Sequence, residues 1–298
     1  VGTDAPVRAT EATVKERIPV RVGIREGASL ESPHVMVLMD DPKKQLLEAL
    51  YEERMSFEKL YDTDLMEDGG HVTGYAVTGV HAERVSARLQ KMEEECPGIF
   101  LAVGDGNHSL ASAKTCWENA KKDLTEEERT DHPMRYALVE AVNLYSPSLL
   151  FYPIHRVLYD CDNEALINGF AEYLEKRDMR LVRTDNDNQA DVTFLYKENE
   201  ASYKIGNRAG HLPVELLQKY LDEYLKEHPK QELDYVHSEA AAEHIAEDGR
   251  GCAMILGAFD KSSLFDAIEA GGVLPRKTFS IGEDIQKRYY MECRKLAK

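Results

Sequence analysis

The sequence predicts an α+β fold, because apolar runs typical of short buried strands interleave with amphipathic helical segments along the chain. The order of these segments is irregular, which argues against a TIM barrel and against a doubly wound sheet. A length of 298 residues fits about two domains. We therefore expect a mixed α/β protein with an N-terminal part and a smaller C-terminal α/β part.

The first half of the chain predicts a domain whose clearest unit is a strand, a turn and a helix. Residues 1–40 read as extended structure and loops, and the apolar run HVMVLMD at 34–40 predicts a buried strand. The run IFLAV at 99–103 predicts another strand, followed by a sharp turn at Gly104-Asp105-Gly106. The other predictions are strands over 71–77 and 135–144, helices over 43–57, 81–95 and 108–122, and a helix start at the Thr125–Glu128 capping box.

The second half predicts a further domain, which begins after Ser146-Pro147 or a little later, at Pro153. We expect domains over residues 1–150 and 151–298. Apolar runs and turn-rich separators predict strands over 179–183, 192–197, 202–205 and 252–256. Helical periodicity predicts helices over 163–176, 212–227, 239–247 and 261–270.

Charge and cysteine content exclude several classes of protein. The chain has 37 Lys and Arg against 54 Asp and Glu, a formal net charge of −17, which argues against nucleic-acid and anionic-membrane partners. A small phosphorylated ligand is still compatible where a few cations line a cleft. The five cysteines form no Cys-x-x-Cys pair, and no apolar run is long enough to span a membrane. We expect a reduced, cytoplasmic protein.

The segment AVGDGNHSLASAK at residues 102–114 has the clearest chemical signal. Its two glycines let the backbone approach an anion, and the first amides of the following helix lie unpaired at the positive end of the helix dipole. Asn107, His108 and Ser109 add polar side chains there, and Asp105 is a candidate Mg²⁺ ligand or proton acceptor. The pattern predicts a phosphate or carboxylate site. An ordinary Asp-Gly turn with Asn107 as the helix cap is the alternative.

Four segments, in order, resemble a known family. GDGNHSLASAK resembles the Asp-Gly-His-His-Arg-type box of the ParB/sulfiredoxin superfamily, and most closely that of the prokaryotic domain-of-unknown-function family numbered ten-fifteen. Arg8-x-x-Glu11-x-Thr13 resembles that family's Arg-x-x-Glu-x-Thr element. YPIHRV resembles its Pro-x-His-Arg element, and GGVLPRKTFS its Pro-x-Lys-Ser/Thr-x-Phe element. Members normally have a further N-terminal segment, so we expect this chain, which begins with Val1, to be N-terminally incomplete.

The resemblance implies a ParB/sulfiredoxin-like part that binds ATP or another nucleotide with Mg²⁺, because the box holds nucleotide phosphates in superfamily relatives. Ser109 replaces the arginine of the box, which removes a bidentate phosphate donor. The catalytic candidates are Glu11, Asp105 and His108, and Asp105 is also the metal candidate. The candidates for nucleotide binding are Gly104, Gly106, Asn107, Ser109, Arg8, His155, Arg156, Arg276, Lys277 and Thr278.

We therefore expect a nucleotide-dependent, kinase-like phosphotransferase for a small hydroxylated metabolite. In this interpretation a carboxylate such as Glu11 deprotonates the substrate hydroxyl, as in related free-serine kinases. A non-catalytic nucleotide- or small-ligand-binding module is the alternative, and the loss of the box arginine favours it. Ordinary roles also stay open for single residues: surface ion pairs for the cations, a solvated carboxylate for Glu11, and a buried, hydrogen-bonded side chain for His155.

Overall fold

The computed structural model describes residues 5–32, 35–186, 189–208, 210–282 and 290–296. Its internal contacts divide the chain into unit 1, Val1–Leu149 with Asp284–Lys298, and unit 2, Leu150–Glu283. Helices and sheets follow one another without a regular repeat, which confirms the predicted α+β class. Across the described ranges, every helix is too short or too polar to span a membrane.

Unit 1 is built on a four-stranded sheet. Its first seven strands are β1 (Val7–Ala9), β2 (Leu30–Glu31), β3 (Met36–Met39), β4 (Glu58–Asp64), β5 (His71–Ala76), β6 (Leu101–Asp105) and β7 (Glu140–Asn143). Its helices are α1 (Ile18–Glu26), α2 (Leu47–Glu52), α3 (Val80–Glu95), α4 (Asn107–Ala120) and α5 (Glu126–Thr130). The sheet order is β1-β6-β3-β7, in which β1 is parallel to β6, β3 is antiparallel to β6, and β7 is parallel to β3.

The parallel pairing of β1 with β6 determines which residues of unit 1 lie together. Parallel strands end at the same edge of a sheet, so the residue after β1 and the residues after Asp105 share one edge. Ala102 and Val103 of β6 are fully buried, as are Leu38 and Met39 of β3. Consecutive residues of a strand point to opposite faces, so both faces of these strands are buried and the core holds in place the polar residues beyond them.

Unit 2 is built on a six-stranded antiparallel sheet of order β10-β12-β11-β14-β9-β13. The strands of the unit are β8 (Phe151–Pro153), β9 (His155–Tyr159), β10 (Arg180–Arg183), β11 (Val192–Tyr196), β12 (Asn199–Gly206), β13 (Leu233–Val236), β14 (Gly251–Leu256) and β15 (Phe279–Ile281). The helices are α6 (Asn163–Glu175), α7 (Pro213–Glu227), α8 (Glu239–Glu247) and α9 (Leu264–Gly271). The last strand, β16 (Arg294–Lys295), pairs with β2 in unit 1.

Alternate residues of the central strands of unit 2 pack on opposite faces of the sheet. On one face, Phe194 of β11 is completely buried with Phe170 of α6 and Leu217 of α7. On the other face, Val157 of β9 and Ala253 of β14 pack against small residues of α8. Burying one large apolar side chain stabilises a fold by about 1.5–3 kcal/mol, so the aromatic face contributes the larger share.

The structure departs from the predicted elements most clearly within residues 1–40. The sequence predicts extended structure and loops there, whereas the structure has the helix α1, with Pro19 in its first turn. Val22 is the one residue of α1 that is buried, so this helix lacks the apolar stripe from which helices are predicted. The strand predicted at 34–40 is confirmed by β3, although residue 34 lies outside the described residues.

Two further differences concern exposed or short segments of unit 1. The helix predicted over 43–57 is observed only as α2, followed by a 3-10 turn at Arg54–Ser56. The strand β4 is not predicted, because its side chains are almost all exposed and show no apolar alternation. Tertiary pairing with β5, rather than local pattern, therefore determines this strand.

Candidate functional site

The turn between β6 and α4 presents backbone amides at the edge of the unit 1 sheet. β6 ends at Asp105, and α4 begins at Asn107. Gly106 between them has φ 88°, a left-handed conformation that favours glycine. The Gly106 amide donates to Asp105 Oδ1 at 2.7 Å, and no side chain caps the helix. The first-turn amides of α4 therefore face outward without a side-chain acceptor, at the positive end of the helix dipole.

The end of β1 is fastened to this turn. Thr10 is fully buried, and its hydroxyl donates to the Val103 carbonyl at 2.6 Å. The half-buried Glu11 follows Thr10, so the catalytic candidate Glu11 lies at the same sheet edge as the turn. Arg8 lies inside β1, opposite Ala102. It is three residues before Glu11, about 10 Å along the strand from that edge.

Asn107 joins β1 to α4 rather than capping the helix. It is 9% exposed, and its Nδ2 donates to the Thr10 hydroxyl at 3.5 Å. Among the described residues, its buried Oδ1 has no hydrogen-bond partner. A buried acceptor without a donor is costly, so the environment of Asn107 favours a ligand or water that supplies one.

Two arginines reach the same turn from α1, which packs against α4. Arg17 immediately precedes α1 and Arg21 lies one turn later, so the two side chains lie on the same face of that helix. Arg21 Nη1 donates to the Ser109 hydroxyl at 3.5 Å. Arg21 of α1 therefore places a guanidinium beside Ser109 in the first turn of α4. Both arginines are exposed, so their guanidinium groups can meet a ligand from solvent.

His108, in the first turn of α4, contacts the segment before α1. Its Nε2 accepts a hydrogen bond from the Val14 amide at 3.0 Å, which leaves Nδ1 as the protonated nitrogen. Partial burial, and then the charges of Arg17 and Arg21, lower the pKa of His108 below its usual value. His108 can therefore donate a hydrogen bond from Nδ1 at neutral pH, without adding a positive charge.

Acidic residues lie on the other side of the turn. Met36 of β3 pairs with Asp105 on one side and with Glu140 on the other, so the two carboxylates lie at the same level of the sheet. Desolvation and the charge of Glu292 raise the pKa of Glu140. Tyr290 is close enough that burial, and then the charges of Glu140 and Asp105, raise the pKa of its hydroxyl. The exposed Asp105 thus lies where cationic and acidic surfaces meet.

Asp105 is the carboxylate at the turn that the sequence predicts as a metal ligand. Across the described ranges, no group of three or more His, Cys, Asp or Glu side chains forms a metal site by itself. Mg²⁺ commonly takes only one or two protein carboxylates together with phosphate oxygens and water. Asp105 has one oxygen engaged by the Gly106 amide and is otherwise exposed, which fits such a site.

His155, which the sequence assigns to nucleotide binding, is buried in unit 2. It is 2% exposed, and its Nδ1 accepts a hydrogen bond from the Leu256 amide at 3.2 Å. Burial, and then the charges of Arg156 and His237, lower the pKa of His155 to about 4. Its Nδ1 is therefore engaged inside unit 2, and the side chain is neutral at pH 7.

Arg156 is completely buried, and protein oxygens engage each nitrogen of its guanidinium. Nε donates to Gln218 Oε1 at 3.2 Å, Nη2 to the Arg276 carbonyl at 3.4 Å, and Nη1 to the Ile154 carbonyl. Gln218 in turn donates to Asp222 at 2.9 Å. Burial lowers the pKa of Arg156 to about 10, so the side chain stays cationic at neutral pH. These contacts show that Arg156 stabilises the fold of unit 2. The sequence predicts instead that Arg156 binds nucleotide phosphate.

The segment 276–278 lies beside Arg156 in unit 2. Arg276 is exposed and pairs with Asp222 at 3.6 Å. Thr278 is 3% exposed, and its hydroxyl donates to the carbonyl three residues earlier at 2.7 Å. Lys277 is exposed and has φ 59°, an unusual conformation for a residue with a side chain. Unit 2 therefore brings these predicted residues together, and unit 1 brings together Glu11 and the turn at 104–109.

Arg21 is not among the residues predicted from the sequence, although it lies four residues after Arg17. The spacing of four residues between them is a usable signal, because it places both side chains on one face of a helix. That signal requires α1 to be predicted first. Because residues 1–40 are predicted as extended structure and loops, the sequence does not predict the cationic face of α1, which consists of Arg17 and Arg21.

Comparison with known proteins gives matches to one family and to solved structures. The family model described as "Protein of unknown function (DUF1015)" matches residues 2–234. No curated protein sequence matches the chain significantly. Mutant forms of a free serine kinase, one in complex with ADP and one with AMP, are similar in structure with a TM-score of 0.50 each, at 12% and 14% identity. In both cases the similarity covers 95% of this chain and 86% of the other.

A conserved hypothetical protein from Pyrococcus furiosus is also similar, with a TM-score of 0.48 at 11% identity, over 100% of this chain and 94% of the other. Because the sequence identity to the kinase structures is only 12% and 14%, the structural similarity shows a shared fold. The family match covers well over half of the residues and includes β1, α1 and the turn before α4. The chain belongs to the family of proteins of unknown function designated DUF1015.

Proposed function

We propose that this protein is a nucleotide-dependent phosphotransferase that acts on a small hydroxylated metabolite. The observation that supports it most is the meeting of Arg21 and Ser109 at the start of α4. An uncapped helix start behind a left-handed glycine binds anions, and a nearby guanidinium is the side chain best suited to phosphate. The fold shared with a kinase that binds ADP and AMP favours a nucleotide as the source of that phosphate.

The phosphate site in this proposal consists of the turn 104–109 and the cationic face of α1. Gly104 and Gly106 allow the phosphates to approach the backbone, and the amides that follow Gly106 donate to the phosphate oxygens. Arg17 and Arg21 supply charge, and His108 supplies a neutral Nδ1 donor. Mg²⁺ held by Asp105 and phosphate oxygens would neutralise charge on the transferred group. The relationship of unit 1 to the ParB/sulfiredoxin superfamily is part of the same proposal.

The proposed reaction joins the hydroxyl oxygen of the metabolite to the terminal phosphorus of the nucleotide. The bond from that phosphorus to the bridging oxygen breaks, and the nucleoside diphosphate leaves with the electron pair. Glu11 accepts the proton of the attacking hydroxyl, because it lies at the same edge as the phosphate turn and a carboxylate can act as base. Arg21 and the amides of α4 stabilise the charge on the transferred phosphoryl oxygens.

The predicted residues outside the turn receive different roles. Arg8 lies about 10 Å before Glu11 along β1, so we assign it to the periphery of the phosphate site. In unit 2, we assign to the buried Arg156 and Thr278 the role of holding the segment that presents Arg276 and Lys277. We assign to His155 a structural role, because it is buried and accepts a hydrogen bond from Leu256. The last two are exposed cations and stay candidates for binding an anionic group.

Calorimetric titration with ATP, ADP, AMP and CTP in the presence of Mg²⁺ tests nucleotide binding. We expect at least one nucleotide to bind, and Arg21→Ala to weaken it more than Arg84→Ala. Arg84 is a matched control, because it is an exposed arginine on α3 of unit 1 that pairs with Glu53. No binding at millimolar nucleotide would overturn the proposal.

A turnover assay distinguishes the proposed phosphotransferase from a non-catalytic binding module. Incubation with a mixture of small hydroxylated metabolites should yield a phosphorylated product and a nucleoside diphosphate, and Glu11→Gln should abolish both. Nucleotide binding without any phosphorylated product would instead support the non-catalytic binding module.

A further inference from the structure

Two cysteines of unit 2 lie together, although they are 91 residues apart in sequence. Cys252 of β14 pairs in register with Leu158 of β9. Cys161 follows β9 after a tight turn at Asp160, which has φ 55°. The turn folds Cys161 back, so that its Sγ lies 3.4 Å from the Leu158 carbonyl. Both thiols therefore lie beside the same residue.

The two thiols share one apolar cluster, in which the half-buried Cys161 packs against the core that includes Cys252 and Leu158. Hydrogen bonding with Cys252 lowers the pKa of Cys161, although burial and the charge of Asp162 oppose this shift. Hydrogen bonding with Cys161 and then burial raise the pKa of Cys252. Cys161 is half-buried and Cys252 is completely buried. A partly accessible thiol with a favoured thiolate thus lies against a sheltered one, which is an arrangement typical of an attacking and a resolving cysteine.

We propose that Cys161 and Cys252 form a reversible disulfide in response to a peroxide. The Cys161 thiolate attacks one peroxide oxygen, so that an S–O bond forms, the O–O bond breaks and the leaving hydroxide takes up a proton as water. Cys252 sulfur then attacks the sulfenic sulfur of Cys161. The S–S bond forms, the S–O bond breaks, and the hydroxyl group leaves as water with the Cys252 proton. Two thiols are oxidised, one peroxide is reduced and two waters are produced.

This site is independent of the proposed phosphotransferase. None of the turn at 104–109, α1 or Glu11 takes part in the reaction, since all belong to unit 1. A disulfide would connect the segment before α6 with β14, two elements that pack in the same core of unit 2. The consequence is a covalent link whose state depends on the peroxide concentration.

The test treats the full chain with hydrogen peroxide, blocks the remaining thiols with N-ethylmaleimide under denaturing conditions and analyses the peptides by mass spectrometry. We expect a Cys161–Cys252 cross-linked peptide that dithiothreitol removes. Cys96, Cys116 and Cys293 should be recovered as alkylated thiols or simple oxidation products. The exposed Cys293 is the internal control for accessibility. Alkylation of both Cys161 and Cys252, under conditions that oxidise Cys293, would overturn the proposal.

Two variants keep the result interpretable. In Cys252→Ala, Cys161 loses its resolving partner and should accumulate sulfenic acid that dimedone traps. In Cys161→Ser, Cys252 should stay reduced, because the buried thiol has lost the partner that peroxide reaches first. Circular dichroism establishes that each variant is folded before treatment. Equal dimedone labelling of Cys161 in the parent chain and in Cys252→Ala would also contradict the proposed resolving role.

Discussion

Replacing Arg21 by alanine tests whether α1 supplies the charge that Ser109 lacks. Arg21 Nη1 is 3.5 Å from the Ser109 hydroxyl, so a phosphate bound at that position would lie about one hydrogen bond from the guanidinium. Two unit charges about 4 Å apart interact by ~1 kcal/mol in water and by ~4 kcal/mol near a protein surface. The exposure of Arg21 places it toward the lower value. We therefore expect a loss of about 1–2 kcal/mol, or a rise of about 5- to 30-fold in the Kd for nucleotide.

The assay is calorimetric titration of ADP into the parent chain, Arg21→Ala and the double variant Arg21→Ala/Ser109→Arg. The double variant places an arginine at position 109 on α4, so it should recover most of the lost affinity. The rise in Kd should shrink at high salt, because salt screens exposed charges. The Arg84→Ala control should bind as the parent does. An unchanged Kd in Arg21→Ala, with binding intact, would refute the role of α1.

Three further predictions concern pH, backbone and ligand response. Burial lowers the pKa of His155 to about 4. Between about pH 6.5 and pH 4, His155 is therefore protonated in the unfolded chain but neutral in the folded unit. Urea unfolding should show stability falling by up to about 3 kcal/mol as pH drops through this window, and less in His155→Asn. Gly106→Ala should destabilise unit 1 by about 1–2 kcal/mol in the same assay, whereas Gly23→Ala, with nothing within 4 Å of the added methyl, should stabilise it. In NMR titrations, adding ADP should raise the lowered pKa of His108, because a nearby anion favours imidazolium; no change would place the phosphate elsewhere.

The strand–turn–helix unit of the site is predictable because its signals are local. The apolar run before Gly104 specifies a buried strand, the two glycines specify a turn, and the periodic residues after His108 specify a helix. Each of these signals depends on residues that are neighbours in sequence. The observed β6, left-handed Gly106 and α4 follow this pattern closely.

The cationic face and the buried Arg156 depend on contacts that no local pattern contains. α1 buries only Val22, so the apolar periodicity that would predict it is too weak to detect. Arg156 follows an apolar run, and an exposed arginine at the end of a strand would show the same local sequence pattern. Its burial depends on Gln218, which is 62 residues away. Tertiary partners of this kind decide whether a charged side chain binds a ligand or holds the fold together.

The net charge of −17 and a phosphate site are compatible because electrostatic interactions between exposed groups are short in range. At physiological ionic strength the screening length is about 8 Å, so carboxylates farther away than this contribute little at the start of α4. There, Arg17 and Arg21 act together with the helix dipole, and their charges, after burial, contribute to the lowered pKa of His108. The distant acidic residues still repel an approaching anionic ligand. This repulsion increases as the salt concentration falls, because screening then becomes weaker. Lower salt should therefore strengthen the attraction at the site and also the repulsion around it, and the ratio of Kd values between Arg21→Ala and the parent isolates the first effect.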